Sequence, residues 1–306
     1  MNREKKLTFL ITAYNAEMYI GKMLTTLLSQ TNNSFDVIVC NDGSTDGTTR
    51  VVNSFVSRFQ EKGVSLLLLD KDNGGVSSAI NKMLPLIHTD YFVPCDCDDW
   101  YDLNVVEQFY NLLDGIKSFS LASMSVRFYY ENGEIKRTAS FTTNDTKSPL
   151  FNRFVYADKI PCYSGIFIYN FKDFLEYNGT NQIFESRYGQ NWQLILPMVR
   201  NTNIVLLKNC FYNVLSRKNS LSHKTTSFSD EYNRLVGYCD ILSNVLTKLG
   251  AEDIRDERIR FYNRLICNIC FKEKKRNLFL KHYNFAAKSF RLLIKKIIMV
   301  LMIWKK

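Results

Sequence analysis

The sequence predicts an α/β fold, an open and mainly parallel sheet with helices on both faces, followed by a helical C-terminal region. Three observations carry that expectation. Apolar runs of strand length alternate four times, within the first 120 residues, with segments whose apolar residues fall at helical spacing. Each run ends in a polar cluster, so candidate ligand groups collect at one end of the sheet, where open parallel sheets bind ligands. After residue 225 only helical periodicity remains.

LTFLITAY (7–14), FDVIVC (35–40), VSLLLL (64–69) and YFVPCD (91–96) are expected as buried parallel strands, because continuous apolar runs suit strands covered on both faces. Ile20, Met23, Leu24, Leu27 and Leu28 share one helical face after the first strand. Val51, Val52, Phe55, Val56 and Phe59 share another after the second, and a third helix is expected from near Gly75 to about Leu86. Further along, Tyr232, Leu235, Val236, Cys239, Leu242, Val245 and Leu246 recur at helical spacing until Gly250 breaks the pattern. The expected division is a ligand-binding domain over 1–225 and a helical region with a basic amphipathic tail over 226–306.

Of 306 residues, 46% are hydrophobic and 14% aromatic, with no low-complexity tract, which excludes disordered, collagenous and coiled-coil chains. The net charge of +10 is unevenly spread. Residues 255–306 carry 15 Lys/Arg against 3 Asp/Glu, a net +12, which leaves −2 for the remainder. A near-neutral body with a basic tail argues against nucleic acid and for contact with an anionic surface. The eight cysteines follow no small-scaffold spacing, so reduced thiols in a cytoplasmic protein are expected. The CxxC at Cys267 and Cys270 sits at helical spacing with Leu265, Ile266 and Phe271, and a buried helical face is preferred for it over a zinc or redox role. The short apolar run after Arg3, Lys5 and Lys6 lacks a cleavage site, and no segment reaches the roughly 20 apolar residues of a spanning helix. The protein is therefore expected to be neither secreted nor integral.

The polar clusters are TAYN, NDGSTDGT, DKDNGG and DCDDW. Asp96 and Asp98 alternate at a strand end, so both carboxylates can approach one ligand region. One or two carboxylates completed by substrate phosphates are what Mg2+ or Mn2+ accepts. A solvated acidic turn is the bland alternative. In NDGSTDGT, Thr45 and Asp46 can serve as helix caps, which leaves Asp42 for a base edge or ribose. Asn73, Gly74 and Gly75 precede a helix and can turn backbone N–H groups towards a diphosphate. Neither GxGxxG nor GxxxxGK(S/T) occurs, which excludes dinucleotide oxidoreductases and P-loop NTPases.

In their order and spacing, ITAYN, NDGSTDGT, DNGGVSSAIN and DCDDW resemble the family 2 glycosyltransferases of GT-A fold, strongly over residues 6–105 and more weakly over 106–225. The resemblance implies a bacterial polysaccharide- or capsule-type transferase with a nucleotide-diphosphate sugar as donor. It implies that Thr12, Tyr14 and Asp42 hold the nucleoside and that Asn73 and Gly74 lie near the ribose and diphosphate. Asp96 would contact ribose or metal, and Asp98 would bind the Mn2+ or Mg2+ directly. RKNSLSH (217–223) is similar to a family segment that closes over the diphosphate. That would pair Arg217 with phosphate and bring His223 to phosphate or metal, with a surface or capping role as the alternative for His223.

Family members show an acidic pair before Trp at the position where YGQNWQLILP here has Gln190 and Asn191. An amide cannot take a proton at neutral pH. The general base is therefore expected elsewhere, with Glu185 and Asp158 as the acidic candidates. Gln190, Asn191 and Trp192 are expected on the acceptor side, Trp192 either as a sugar platform or as core. CYSG (162–165) is a further run suited to an acceptor cleft.

The tail ends in SFRLLIKKIIMVLMIWKK, where residues 297–304 are apolar and flanked by Lys pairs. That pattern suits an interfacial helix on an anionic membrane, peripheral at the inner face of the cell membrane. The alternative is a helix packed on the catalytic domain with a solvated basic face. Together these features lead to the expectation of metal-dependent, inverting transfer of a sugar to a glycan acceptor, lipid-linked if the tail meets the membrane. A catalytically silent nucleotide-sugar-binding protein is permitted by Gln190 and Asn191. A nucleotidyltransferase should show a basic Gly-rich loop where TAYNAEMYIG stands.

Overall fold

The computed structural model describes residues 4–142, 150–157, 160–217, 227–286 and 288–301. Asp158 and His223 lie outside the described residues, as do Ile303 and Trp304. The chain divides into two compact units, Met1–Glu185 with Leu194–Ser220, and Ser186–Gln193 with Leu221–Lys306.

The first unit starts with the expected alternation: β1 (Leu7–Ala13), α1 (Ile20–Leu28), β2 (Phe35–Asp42), α2 (Thr48–Glu61), β3 (Leu66–Lys71), α3 (Val76–Met83) and β4 (Tyr91–Asp96). These four strands are parallel, in the order β3-β2-β1-β4. Every residue of central β1 is buried, as a strand paired on both edges and covered on both faces requires. All five apolar positions expected on α1 are buried. β3 runs two residues later than the hydrophobic run suggests. Among the described residues it is an outer strand paired only with β2, and the ladder from Val37–Leu66 to Asp42–Lys71 fixes its ends rather than its apolar content. α3 also stops earlier than expected, because Pro85 turns Leu84–Leu86 into a 3-10 turn.

The sheet continues with strands that the periodicity did not predict. β5 (Trp100–Tyr101), α4 (Val105–Ile116), β6 (Leu121–Tyr129), β7 (Ile135–Ala139), α5 (Leu150–Tyr156), β8 (Phe167–Asn170), α6 (Phe171–Asn178), α7 (Gln190–Asn201) and β9 (Val205–Leu215) follow in order. The full order is β3-β2-β1-β4-β8-β6-β9-β5, with β7 on β6. β8 is antiparallel to β4 and β6, so the second half is mixed. β8 pairs with β4 only at Tyr91 and Phe92, so that ladder ends before Pro94, which cannot donate to one. Phe9, Phe35 and Tyr101 pack edge-on or tilted beneath β1.

The second unit is helical, with α8 (Phe228–Lys248), α9 (Glu252–Lys272), α10 (Arg276–Tyr283) and α11 (Phe290–Leu301). Ser227 and Asp230 form a reciprocal capping box at the start of α8. Gly250, with φ +62°, turns the chain into α9, at the break the sequence predicts. Cys267 and Cys270 are fully buried on α9, and burial pushes their thiols up to about 12 and about 11. Ser186–Gln193, which includes the first residues of α7, belongs to this unit rather than to the sheet.

Candidate functional site

The polar clusters gather where the parallel strands end. Thr12, at the end of β1, lies in register between Cys40 of β2 and Asp96 of β4. Tyr14 follows it and is exposed. The close approach of the neighbouring loops depends on Gly43, whose φ is +74° and where a Cβ would stand 2.7 Å from the backbone nitrogen of Asn73. Only glycine fits both demands.

Asp42 is 4% exposed, and its carboxylate is filled from inside the protein. It accepts the backbone N–H groups of Gly74 at 2.9 Å and Gly75 at 2.7 Å, and pairs with Lys71 Nζ at 2.6 Å. Within the protein it therefore holds the Asn73–Gly75 loop at the N-terminus of α3. Two amides and a half-buried ammonium converging on one carboxylate form a charged latch. Lys71 was not singled out in the sequence, although its place within DKDNGG was the available signal.

The acidic motif at the end of β4 is split by its surroundings. Asp99 is buried, accepts the Tyr212 hydroxyl at 2.7 Å and the backbone N–H of Leu215 at 3.0 Å, and so ties the motif to β9. Burial, with Asp98 and Asp96 beside it, pushes its carboxyl well up. Gly165 makes room for that tie, since a Cβ there would lie 2.1 Å from the Tyr212 ring. CYSG thus contributes a buried packing position beneath the motif. Asp96 is part-exposed, and burial, then Asp98, pushes its carboxyl up to about 7. A cation beside Asp96 would favour its charged form.

That cation is partly supplied by the chain. Arg217 forms an ion pair with Asp98, and its guanidinium lies 4.3 Å over the ring of Tyr19. Arg217 Nε is buried without a hydrogen-bond partner among the described residues. A guanidinium N–H without a partner among the described residues, on an arginine paired to Asp98, can take a phosphate oxygen. No group of three or more His, Cys, Asp or Glu suited to a metal ion occurs among the described residues. Asp96 and Asp98 fit a cation that completes its shell with phosphates and water, as Mg2+ and Mn2+ do. Lys22 Nζ rests 3.0 Å above the Trp100 ring next to this cluster, and burial lowers its proton affinity.

The acceptor-side candidates among the described residues divide between the two units, Glu185 in the first and Gln190, Asn191 and Trp192 in the second. Glu185 is exposed, and the chain just before it is tied to α3, where Asn81 exchanges two hydrogen bonds of 2.8 Å with the backbone of Ile183. Gln190 and Asn191 begin α7, half-buried. Trp192 is half-buried within the helical unit, 5.2 Å from Tyr238 and 6.4 Å from Tyr262 between ring centres. At the opposite end of the sheet a cavity of about 990 Å³ is lined by Asp90, Tyr91, Lys117 and Asn170 among others. It lies away from the carboxyl ends of the strands, where a sheet of this kind takes its ligand.

Comparison with known proteins gives three kinds of likeness. A family model described as Glycosyl transferase family 2 matches residues 8–178. Among curated proteins, the chain is 30% identical to Glycosyltransferase GlyA of Streptococcus pneumoniae over 43% of this chain and 18% of that protein. It is 32% identical to the teichoic acid poly(glycerol phosphate) polymerase of Staphylococcus epidermidis over 45% of this chain and 17% of that one. The chain thus spans less than a fifth of these two relatives. Among solved structures, S. aureus TarS in complex with UDP-GlcNAc superposes with a TM-score of 0.61 at 18% identity, over 92% of this chain and 80% of that one. The mannosyltransferase PcManGT from Pyrobaculum calidifontis, in complex with GDP-Man and Mn2+, does so with 0.53 at 13% identity, over 98% and 81%. At such identities these two likenesses concern the fold, an α/β sheet of GT-A type with a helical C-terminal region.

Proposed function

Because the chain belongs to glycosyl transferase family 2, we propose that it transfers one sugar from a nucleotide-diphosphate sugar to the hydroxyl of a glycan acceptor in cell-surface polysaccharide assembly, with inversion. The observation that best supports this reading is the convergence of Asp96, Asp98 and the open Arg217 Nε beyond the carboxyl ends of the strands. Thr12, Tyr14 and Asp42 would hold the nucleoside, and Asn73 and Gly74 would lie near the ribose and diphosphate. Asp98, with Asp96 and His223, would hold Mn2+ or Mg2+, whose chemistry is to neutralise charge on the departing diphosphate. Arg217 would exchange Asp98 for phosphate as the donor arrives. Gln190, Asn191 and Trp192 would orient the acceptor, and Glu185 or Asp158 would take its proton.

The likeness to a teichoic acid poly(glycerol phosphate) polymerase supports a polymeric acceptor. No helix among the described residues is long and apolar enough to cross a membrane. A basic C-terminal segment suits an acceptor presented on an anionic leaflet, with the enzyme peripheral at the cytoplasmic face.

The deciding experiment is a thermal-shift and turnover screen of nucleotide sugars with and without Mn2+ or Mg2+, since a bound ligand stabilises the native state by mass action. Stabilisation and sugar release or transfer that both need the metal support the reading. Absence of both across UDP-, GDP- and CDP-sugars would remove it. Stabilisation without turnover would favour a silent nucleotide-sugar-binding protein, the reading that Gln190 and Asn191 permit.

A further inference from the structure

The last helix is packed the wrong way round for water. In α11 the two residues fully turned inward are Leu292 and Met299. Phe290 is 77% exposed, Ile297 50% and Leu301 56%, and Leu293 and Ile294 are exposed on the same stripe, at the spacing of one helical face. The lysines, by contrast, are drawn in. Lys295 Nζ donates to Asn268 Oδ1 at 2.8 Å, Lys296 Nζ lies 4.5 Å over the Tyr283 ring, and both are less exposed than the isoleucines that follow. Arg276 Nε donates to the Met299 carbonyl at 3.1 Å, which fixes the helix to its unit at a third point. The alternative of a packed helix with a solvated basic face is met only in part: the described helix is packed, but its apolar face is the solvated one.

Beside the N-terminal half of that stripe lies a cavity of about 240 Å³ lined by Arg264, Asn268, Ser289, Arg291, Leu292 and Lys295. Three of its six walls are cations and none is acidic. We infer that α11 and this cavity form a binding surface for anionic phospholipid, with a headgroup phosphate in the cavity and the Phe290–Ile294–Ile297–Leu301 stripe at the level of the first acyl carbons. Charge selects this occupant over a second copy of the chain. The net +12 of residues 255–306 repels its own copy and attracts an anionic leaflet. Contiguous exposed apolar patches on soluble units mark such contacts. The inference shares with the proposed function only the membrane as workplace and draws its support from the helical unit alone.

Full-length protein is floated with vesicles of phosphatidylcholine and of phosphatidylcholine with phosphatidylglycerol, at low and at roughly 1 M salt, where the Debye length falls to about 3 Å. Strong flotation with the anionic vesicles is expected, partly retained in high salt because the stripe is apolar. Arg264→Gln with Arg291→Gln should lower binding to anionic vesicles on the order of 30-fold, two charges each worth about a factor of five, and leave phosphatidylcholine binding unchanged. Phe290→Ser with Ile297→Ser should abolish both without lowering the melting temperature, since both residues are exposed. Arg291→Gln alone, at an exposed position, repeats the charge test if the double variant misfolds. Equal binding to both vesicles, or insensitivity to the arginine changes, overturns the headgroup cavity. No flotation, or a lipid-free dimer that Phe290→Ser with Ile297→Ser dissociates, overturns the membrane surface. Binding of a soluble nucleotide sugar, measured without lipid, reports separately on the proposed function.

Discussion

Replacing Asp42 by Asn separates a latch from a ligand contact. The carboxylate accepts Gly75 N–H at 2.7 Å, Gly74 N–H at 2.9 Å and Lys71 Nζ at 2.6 Å, with the Asp42 and Lys71 side chains 6% and 17% exposed. In Asp42→Asn one oxygen survives as a neutral acceptor. The other becomes an amide N–H2 facing an N–H, so one bond is lost and two lose their charge. Hydrogen bonds to charged groups contribute about 1.5–3 kcal/mol each, and neutral ones about 1. The net loss is about 3 kcal/mol, which at about 2–4 °C per kcal/mol lowers Tm by about 6–12 °C. Amides of residues 72–76 should exchange with solvent faster, because the loop loses its anchor, and donor affinity should fall as a consequence. Calorimetry and hydrogen exchange without any donor read the effect directly. A donor-free Tm within about 1 °C of wild type, with donor binding lost, would refute the latch and leave Asp42 as a ligand group alone.

Four further outcomes are expected. Asp98→Asn should abolish the metal-dependent part of donor affinity, read by titration calorimetry with and without Mn2+, while the donor-free Tm holds because its ion pair with Arg217 is part-exposed. Arg217→Lys replaces a planar fork with a point charge and should weaken nucleoside diphosphate binding on the order of 10-fold or more, as a displacement assay would show. If Glu185 is the base, Glu185→Gln should cut kcat by roughly 10²–10⁴ with donor affinity unchanged, and Asp158→Asn is the matched comparison. The fourth concerns pH. His282 Nδ1 faces Asn263 Oδ1 at 2.7 Å, Nε2 faces the Tyr232 hydroxyl at 2.9 Å, and burial, then Lys281, lowers its pKa from 6.5. A folded pKa below the unfolded one means that the folded state binds fewer protons, so the contribution of His282 is complete above about pH 6.5 and is lost as pH falls below it. Melting of the helical unit should weaken between roughly pH 7 and 5 in wild type and less so in His282→Gln. Parallel pH profiles for the two proteins would contradict this.

The sequence by itself determined the first half of the sheet. The runs that became β1, β2 and β4, and the apolar faces of α1 and α2, follow from periodicity, which is a local property. Parallel connection then puts TAYN, NDGSTDGT, DKDNGG and DCDDW at one end of the sheet without any contact being known. What periodicity cannot encode is which distant group completes a charge. Asp42 is filled from residues 29–33 positions away, Asp99 by Tyr212 across 113, and Asp98 by Arg217 across 119. The motifs mark Lys71, Gly74, Gly75 and Arg217 as polar or turn positions but not as partners of these carboxylates, and Tyr212 carries no local signal, because a hydroxyl or guanidinium reads the same whether solvated or paired. The mixed strands β5 to β9 are likewise set by long-range pairing, as with β3, whose ends obey its ladder and not its hydrophobicity. In α11 the sequence fixes that one face is apolar, since that depends only on 3.6-residue spacing. Which face meets the protein is decided by the docking of Leu292, Met299 and Lys295 against the neighbouring helices, and that docking left the apolar stripe outside.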